Sequence, residues 1–312
     1  VSIDRNPAAA QAVRTRYNLP PEMDDNLVIF EHAGRKRVIS ERMLTDKDYE
    51  QVPNAGQMEL VTRHRTFKGE LLFTSAIADV IAPRQYQAYF VSNHGEHNPA
   101  GNEAQMGYAS FADLLVLNNV RFDVLNLGTS GEIPDDCDLL ILAGPRQKYL
   151  PVELDRIEQY LNQGGRLLVL FNLAPVLVGT GLERLLTQWG IQVGANLVQD
   201  ADNTLDSQAV SLVTSRYGPH PIVAPLGGVP LVMYSPRTIA GLLGGAGTGA
   251  TVTELVYTGT NAVVYTQFSG GQVTRTGRDP VGEFPLAVAV EKGGLPGVTT
   301  LRGGVTRIVV TG

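Results

Sequence analysis

Between Tyr86 and Trp189, short apolar runs alternate with segments whose apolar residues recur every three or four positions. Tyr86–Val91 (YQAYFV), Arg121–Leu127 (RFDVLNL), Asp138–Ala143 (DLLILA) and Arg166–Phe171 (RLLVLF) have the length and apolar density of buried strands. Glu70–Ile81, Ala104–Leu117, Pro151–Gln163 and Leu182–Trp189 read as helices. Pro151–Gln163 carries the strongest signal: Pro151 suits the first helical turn, Leu154, Ile157 and Leu161 share a face, and Gly164-Gly165 ends the segment. The other apolar faces are predicted to be Leu72, Ala76, Ile77 and Val80 in one helix, and Phe111, Leu114 and Leu115 in the next. Strands separated by helices can pair in parallel, and each crossover lays its helix on the sheet. The expected fold class is therefore α/β, a mostly parallel sheet flanked by helices on both faces.

The regions on either side have a different texture. Residues 1–52 read as strand, helix, strand, strand and short helix. Asn6-Pro7 opens the helix, and Asn26–Glu31 with Lys36–Ser40 forms a hairpin turning at Gly34. That order resembles part of a thioredoxin-like domain, without a CxxC motif for redox work. Residues 53–312 are expected to form one α/β domain. Within it, about 201–312 is a Gly/Thr/Val-rich elaboration whose apolar runs Pro285–Val290 and Arg307–Val310 return to the central sheet. Ala262–Gln267 is a further strand candidate, and the glycine-rich Gly241–Gly249 reads as a surface loop. No internal repeat is apparent.

With 312 residues, 43% hydrophobic and 18% charged, the chain can bury a core of ordinary size without disulfides. Its net charge of −6, with the signs interleaved, gives no basic stripe for a nucleic-acid backbone and no polybasic run of the length that holds a membrane surface. No apolar run reaches the roughly 18–20 residues of a membrane-spanning helix. The chain starts at Val1 rather than Met and stops just after an apolar strand, so both ends read as cut, with any anchor expected outside it.

In an open parallel sheet, ligands sit beyond the carboxyl ends of the strands. That rule selects Asn93-His94-Gly95-Glu96-His97, Gly144-Pro145-Arg146, Asn172-Leu173 and Thr311-Gly312. His94, Gly95, Glu96, Gly144, Pro145 and Asn172 are the candidate ligand- or partner-binding residues. Two imidazoles and a carboxylate can bind a metal or work as acid and base. Three such residues within four positions of a loop also serve to hold the loop through bonds to backbone, and that reading is favoured. Cys137, among Asp135, Asp136 and Asp138, is set against thiolate formation and reads as structural. No GxSxG elbow or phosphate loop occurs, so no catalytic residue and no cofactor is assigned. His220 lies in a proline-locked turn, and Asp200, Asp202 and Asp206 read as a solvated acidic turn rather than a calcium loop.

Several segments together resemble the gliding-motility ABC-transporter auxiliary family (GldG-like proteins). They are Phe67-Lys68-Gly69-Glu70 through Ile77, Asn93-His94-Gly95-Glu96, Gly144-Pro145, and Glu153 with Tyr160-Leu161. Gly164-Gly165-Arg166, Trp189-Gly190-Ile191, Tyr217-Gly218-Pro219-His220-Pro221 and the closing Arg307–Gly312 complete the set. Where that family commonly has Gly-His-Gly-Glu, this chain has Asn93 before His94. The resemblance implies an extracytoplasmic (periplasmic) region tethered by transmembrane helices outside this chain, working beside an ABC permease and its ATPase. It also implies a class I glutamine amidotransferase-like sheet in which Phe171-Asn172-Leu173 occupies the place of the cysteine elbow. Without that thiol the covalent step has no nucleophile, and the implied role is non-catalytic binding of a partner subunit or exported ligand. A carbohydrate- or glycan-binding domain and a metal-dependent hydrolase using His94 and Glu96 are the alternatives. Self-association into a homo-oligomer is left open.

Overall fold

Helix α1 (Pro7–Tyr17) begins where the sequence predicts: Asn6 Oδ1 accepts the Ala9 N–H at 3.1 Å, and Pro7 occupies the first turn. It ends at Asn18, whose φ of 48° is the left-handed cap. Strands β1 (Leu27–His32) and β2 (Arg35–Ser40) pair antiparallel. Ala33 and Gly34 between them both have positive φ, 49° and 79°, the backbone that closes a two-residue hairpin with the natural strand twist. A 3-10 turn at Glu41–Leu44 leads into β3 (Thr45–Asn54) and β4 (Gln57–Phe67), an antiparallel ribbon whose strands lie largely on either side of position 52. Helix α2 (Gly69–Ile81) follows and buries Leu72, Ala76 and Val80, with Ile39, Phe30 and Leu44 in the same cluster. Ile77, expected on that face, is exposed, and Phe73 packs there instead. These elements, residues 1–85 with 117–119, form one compact unit. The computed structural model describes residues 6–19, 26–54, 57–82, 84–103, 107–172, 179–206, 210–242, 249–269, 272–293 and 304–312.

Residues 86–116 and 120–312 form the second unit. Its first half alternates as the sequence predicts: β5 (Tyr86–Val91), α3 (Ala109–Leu117), β6 (Val120–Leu125), α4 (Leu127–Ser130), β7 (Leu139–Ala143), α5 (Pro151–Asn162), β8 (Arg166–Leu170) and α6 (Leu182–Gln188). Helix α3 starts at Ala109 rather than at 104; residues 104–106 lie outside the described residues. Its packed face is Phe111, Ala112 and Leu115, while Leu114, expected there, points to solvent.

The second half supplies short strands: β9 (Ile191–Val193), β10 (Leu197–Gln199), β11 (Ser211–Thr214), β12 (Arg216–Tyr217), β13 (Leu231–Tyr234), β14 (Ile239–Gly241) and β15 (Thr251–Tyr257). Then come β16 (Ala262–Tyr265), β17 (Phe268–Ser269), β18 (Gln272–Val273), β19 (Val281–Gly282), β20 (Pro285–Lys292) and β21 (Thr306–Thr311). Most of the predicted glycine-rich loop, residues 243–248, lies outside the described residues.

Eight strands join in one mixed sheet, in the order β12-β15-β20-β21-β8-β7-β5-β6. From β21 to β6 all pairings are parallel; from β12 to β21 all are antiparallel. Side-chain alternation divides the core between the two faces. Leu140, Leu142, Leu167, Val169, Val288, Val290, Ile308 and Val310 cluster with Ile157 and Leu161 of α5 and Leu182, Leu185 and Leu186 of α6. Ala88, Phe90, Ile141 and Ala143 cluster with Phe111 and Leu115 of α3. Farther along, Ala287 and Ala289 cluster not with a helix but with Val198, Leu212 and Val264 of the short strands. The sheet is thus helix-covered on one face and covered by a helix and a β layer on the other. Each fully buried aliphatic side chain contributes about 1.5–3 kcal/mol, so these layers set which strand ends stand together.

Candidate functional site

The parallel strand order reverses at β5, which has β6 on one side and β7 on the other. Chains leaving the carboxyl ends of neighbouring strands in opposite directions open a crevice there. The segments that bound it are Ser92–His97 after β5, Gly144-Pro145 after β7 and Phe171-Asn172 after β8. The structure thus brings together all six predicted residues; Leu173, beside them in sequence, lies outside the described residues.

The loop after β5 is a built turn. Asn93 has φ 98° and Gly95 φ 77°, and the Glu96 carboxylate folds back to accept the His94 N–H at 2.6 Å. The His94 carbonyl accepts from Arg146 N and Gln147 N, which ties this loop to the one after β7. Around the His94 ring three groups converge. Its Nε2 lies 2.9 Å from Glu153 Oε2, its face stacks on Tyr149 at 4.2 Å, and Glu96 Oε1 stands 3.7 Å from Nδ1. Tyr149 donates its hydroxyl to the same Glu96 oxygen at 2.6 Å. Burial, and secondarily the Glu96 charge, holds the Tyr149 phenol well above its ordinary pKa, so it remains a proton donor. Both carboxylates are enclosed, with 2% of each side chain exposed. Glu153 also accepts the Leu150 N–H at 2.8 Å, capping the first turn of α5.

A second chain of bonds ties the segments after β5, β7 and β8 to one another. Asn172 Nδ2 donates to Gly144 O at 2.9 Å, which leaves its Oδ1 as the acceptor facing His97 Nε2 at 3.2 Å. His97 therefore carries its proton on Nε2, and its ring stacks on Tyr108 at 4.4 Å. His97 N donates to Ala143 O. Gly144, at φ 66°, is needed for space as well as conformation: a Cβ there would stand 2.5 Å from both Asn172 Nδ2 and His97 Cδ2. Pro145 is buried beside it. Beneath Asn172, Arg237 donates to the Asn172 carbonyl at 2.8 Å and lies 5.1 Å over the Phe171 ring. Burial pulls its guanidinium pKa down, and Glu183, 3.9 Å away, partly opposes this.

The polar atoms of this site are mostly turned on one another. What opens outward is a cavity of about 190 Å³ on the far side of the β5 loop, lined by Ser92, Asn93, Glu96, Asn98, Pro99 and Val124. Among the described residues, no group of three His, Cys, Asp or Glu side chains is arranged to hold a metal ion. Tyr149, Glu153 and Arg237 were not foreseen as part of this site. Glu153 had a signal, a carboxylate two positions after Pro151 at a helix start, whereas Arg237 lies in a segment without periodicity.

The remaining candidates are structural in their contacts. Cys137 is buried, its Sγ 3.6 Å from the Tyr160 hydroxyl. Asp200, read from sequence as part of a solvated turn, is 0% exposed. It accepts from Gly259 N, Asn203 Nδ2 and Asp202 N, because short acidic side chains satisfy backbone donors that a tight turn leaves unpaired. Asp206 accepts from Val210 N and Ser211 N, and His220 Nδ1 accepts from Ile222 N. A cavity of about 530 Å³ is lined by Asn203, Thr204, Thr214, Arg216 and Asn261 among others. Asn203 and Asn261 bond to Asp200 and Asp202, Thr204 and Thr214 to backbone carbonyls, and Arg216 to Glu283.

No helix among the described residues is long and apolar enough to cross a membrane. No curated protein sequence matches the chain. Among solved structures it is similar to the mmIFT52 N-terminal domain, with 18% identity, 72% of this chain and 85% of that chain covered, and a TM-score of 0.48. It is also similar to a putative ThuA-like protein from Bacteroides uniformis, with 12% identity, 74% and 82% coverage and a TM-score of 0.38. A cold-adapted β-galactosidase from Rahnella sp. R3 has 15% identity, 77% and 30% coverage and a TM-score of 0.40. The family model for the auxiliary component of an ABC-type uncharacterized transport system matches residues 87–293, well over half of the chain. The chain belongs to that family of ABC-transport auxiliary proteins.

Proposed function

We propose that this chain is a non-catalytic module that docks a partner subunit or an exported ligand at the strand-end crevice, beside the permease and ATPase subunits of its transport system. In this reading it stands at the extracytoplasmic, periplasmic face of the inner membrane, tethered by helices outside this sequence, as in gliding-motility auxiliary proteins. The observation that carries the proposal is Asn172. At the end of β8, where an amidotransferase-like sheet would present its attacking thiol, an amide side chain bridges Gly144 O and His97 Nε2. An amide supplies no nucleophile, and its two bonds shut the space a substrate carbonyl would need. A fold can keep its ligand-facing strand ends after the chemistry is gone, and function then rests on the surface those ends present.

The parallel strands support the amidotransferase-like or flavodoxin-like assignment. Counted along the chain, their order β6-β5-β7-β8-β21 is 2-1-3-4-5, the doubly wound pattern with its ligand crevice at the first and third strands. The proposal keeps a partial thioredoxin-like segment at 1–52 and the amidotransferase-like domain at 53–312, with its elaboration from about 201. Self-association is compatible with it.

His94 and Glu96 are buried in the loop's own scaffold, so alanine there would disturb folding along with docking. The test uses the outward cavity instead. Val124→Arg and Asn93→Asp change its exposed lining. In the assembled transporter, each is expected to reduce co-purification of the permease while the melting transition stays within a few degrees of wild type. Wild-type levels of permease with both variants would dismiss this crevice as the contact.

A further inference from the structure

Strand β6 is one edge of the eight-stranded sheet and, among the described residues, pairs with β5 alone. The opposite edge ends on β12, only two residues long, which is one way a sheet avoids recruiting a further strand. β6 is not blunted in that way: it has six residues, no proline and an unbroken register with β5 from Val120 to Leu125. Leu125 O accepts from Ser92 N at 3.0 Å, so Leu125 turns its peptide groups toward β5. In a parallel ladder alternate residues bond to a given neighbour, so Arg121 and Asp123 do the same. Val120, Phe122 and Val124 therefore hold their N–H and C=O groups toward the open edge, where no hydrogen bond takes them up among the described residues. The side chains are open too: Val124 is 55% exposed, and Arg121 and Asp123 are exposed on the other face. Asp123 accepts from Gln87 Nε2 at 2.9 Å, and Arg121 has no bonded partner among the described residues.

The run Val120-Arg121-Phe122-Asp123-Val124 is self-complementary about Phe122. Laid antiparallel on a second copy with Phe122 opposite Phe122, the edge-facing residues also set Val120 opposite Val124, and each such pair exchanges both backbone bonds. Arg121 then stands opposite the second copy's Asp123 in the closer, non-hydrogen-bonded kind of pair, with Cα atoms about 4.5 Å apart. Two-fold symmetry makes that contact twice. The neighbouring registers that still pair the open groups set Arg121 opposite Arg121, or Asp123 opposite Asp123, and like charges directly opposite are destabilising. Charge thus selects a single register. We propose that β6 is a self-association edge that joins two copies of this chain into an antiparallel dimer with one sheet continuous across Phe122. The proposal gives the self-association left open above a site, and it does not rest on the role of the strand-end crevice.

Sedimentation equilibrium of the whole chain from about 1 µM to about 1 mM reads the dimer directly. An interface built on one six-residue strand falls below the roughly 1,200 Å² of a standard one, so half-dissociation is expected at roughly 10–500 µM. Arg121→Asp and Asp123→Arg each set like charges opposite one another twice, and each is expected to weaken the dimer about tenfold or more. The double variant restores opposite charges and is expected to return to within about threefold of wild type, a rescue that a merely structural role does not give. Asp123→Arg also breaks the Gln87 bond, whereas Arg121→Asp breaks none, so the second keeps the test alive if the first fails to fold. Register is read by oxidation: Arg121→Cys chains mixed with Asp123→Cys chains are expected to form a disulfide-linked dimer, and either variant alone is not, because only the mixed pair meets at bonding distance. The proposal is overturned if wild type is monomeric throughout, or if the single charge variants associate as wild type does. It is overturned equally if the double variant stays as weak as the single ones, or if the mixture cross-links no more than either variant alone.

Discussion

Glu153 Oε2 stands 2.9 Å from His94 Nε2 and accepts the Leu150 N–H at 2.8 Å, so one carboxylate oxygen both caps α5 and anchors the loop after β5. The helix that packs under the sheet and the loop at the sheet's switch point are thereby fixed to each other. A negative charge at a helix start is favoured by the unpaired N–H groups there, which offsets part of the cost of enclosing Glu153.

Glu153→Ala leaves the Leu150 N–H and the His94 ring nitrogen without their acceptor in a closed space. Removing one partner of a buried, hydrogen-bonded pair costs roughly 3–5 kcal/mol, and chemical denaturation of the variant is expected to show a loss of that size. Glu153→Gln keeps an acceptor for Leu150 and is expected to lose less than half as much. Equal losses in the two variants would mean that the charge, and not the acceptor geometry, holds the loop.

The Tyr149 hydroxyl gives a pH-dependent prediction. In the unfolded chain the phenol ionises near its ordinary value of 10.0, and in the folded chain only well above it, because of burial and the Glu96 charge. The stabilisation is therefore complete below pH 10 and is lost as the pH climbs from there toward the folded value. Tyr149→Phe is expected to cost about 1–3 kcal/mol at neutral pH, since it strips a donor from the enclosed Glu96. It is also expected to lose less additional stability between pH 10 and 11 than wild type does. Urea melts at pH 7, 10 and 11 measure both effects, and parallel curves for the two proteins would contradict the assignment.

The parts of this architecture that depend on local periodicity were legible in the chain. Pro151, Ile157, Leu161 and Gly164 mark α5 because burial at helical spacing and the punctuating residues agree. The positions of His94, Gly144 and Asn172 follow from the strand-end rule once the strands are known. Partners hidden by long-range pairing were not legible: Arg237 reaches Asn172 across 65 residues, through a β-rich segment with no 3.6-residue signal. Ile77 and Leu114 were misread for a related reason. Both helices are apolar around much of their circumference, and only the identity of the packed neighbour decides which side is buried. Asp200 looked solvated because one of its donors, Gly259 N, comes from a turn 59 residues farther along the chain.

Gly144→Ala and Gly34→Ala separate strain from crowding. Both glycines have positive φ, 66° and 79°, which costs an alanine about 1–2 kcal/mol. At Gly34 nothing lies within 4 Å of the added methyl, so the cost should stop there. At Gly144 the methyl meets Asn172 Nδ2 and His97 Cδ2 at 2.5 Å, so the amide bridge must break or the loop must shift. The expected loss at Gly144 exceeds that at Gly34 by at least about 1 kcal/mol, and thermal melts of the two variants give the comparison. A smaller gap would mean that the Asn172 bridge yields without cost.

Arg237 offers the sharpest contrast between removing a charge and removing volume. It is 2% exposed; burial pulls its pKa down, and its nearest carboxylate contact, Glu183, is 3.9 Å away and occupied by Thr180 N and Gly181 N. Arg237→Met preserves most of the volume over Phe171, removes the desolvated cation and leaves the Glu183 bonds in place. Such replacements of buried ions are often close to neutral, so the expected loss is within about 1 kcal/mol, chiefly the donor to Asn172 O. Arg237→Ala also opens a cavity and is expected to cost about 2–5 kcal/mol, as large-to-small core substitutions do. In a double-mutant cycle with Glu183→Gln, the coupling energy should stay below about 0.5 kcal/mol, because the two charges lie beyond hydrogen-bonding distance. A coupling of several kcal/mol would identify the pair as a working salt bridge and make the charge, rather than the packing over Phe171, the reason Arg237 is buried.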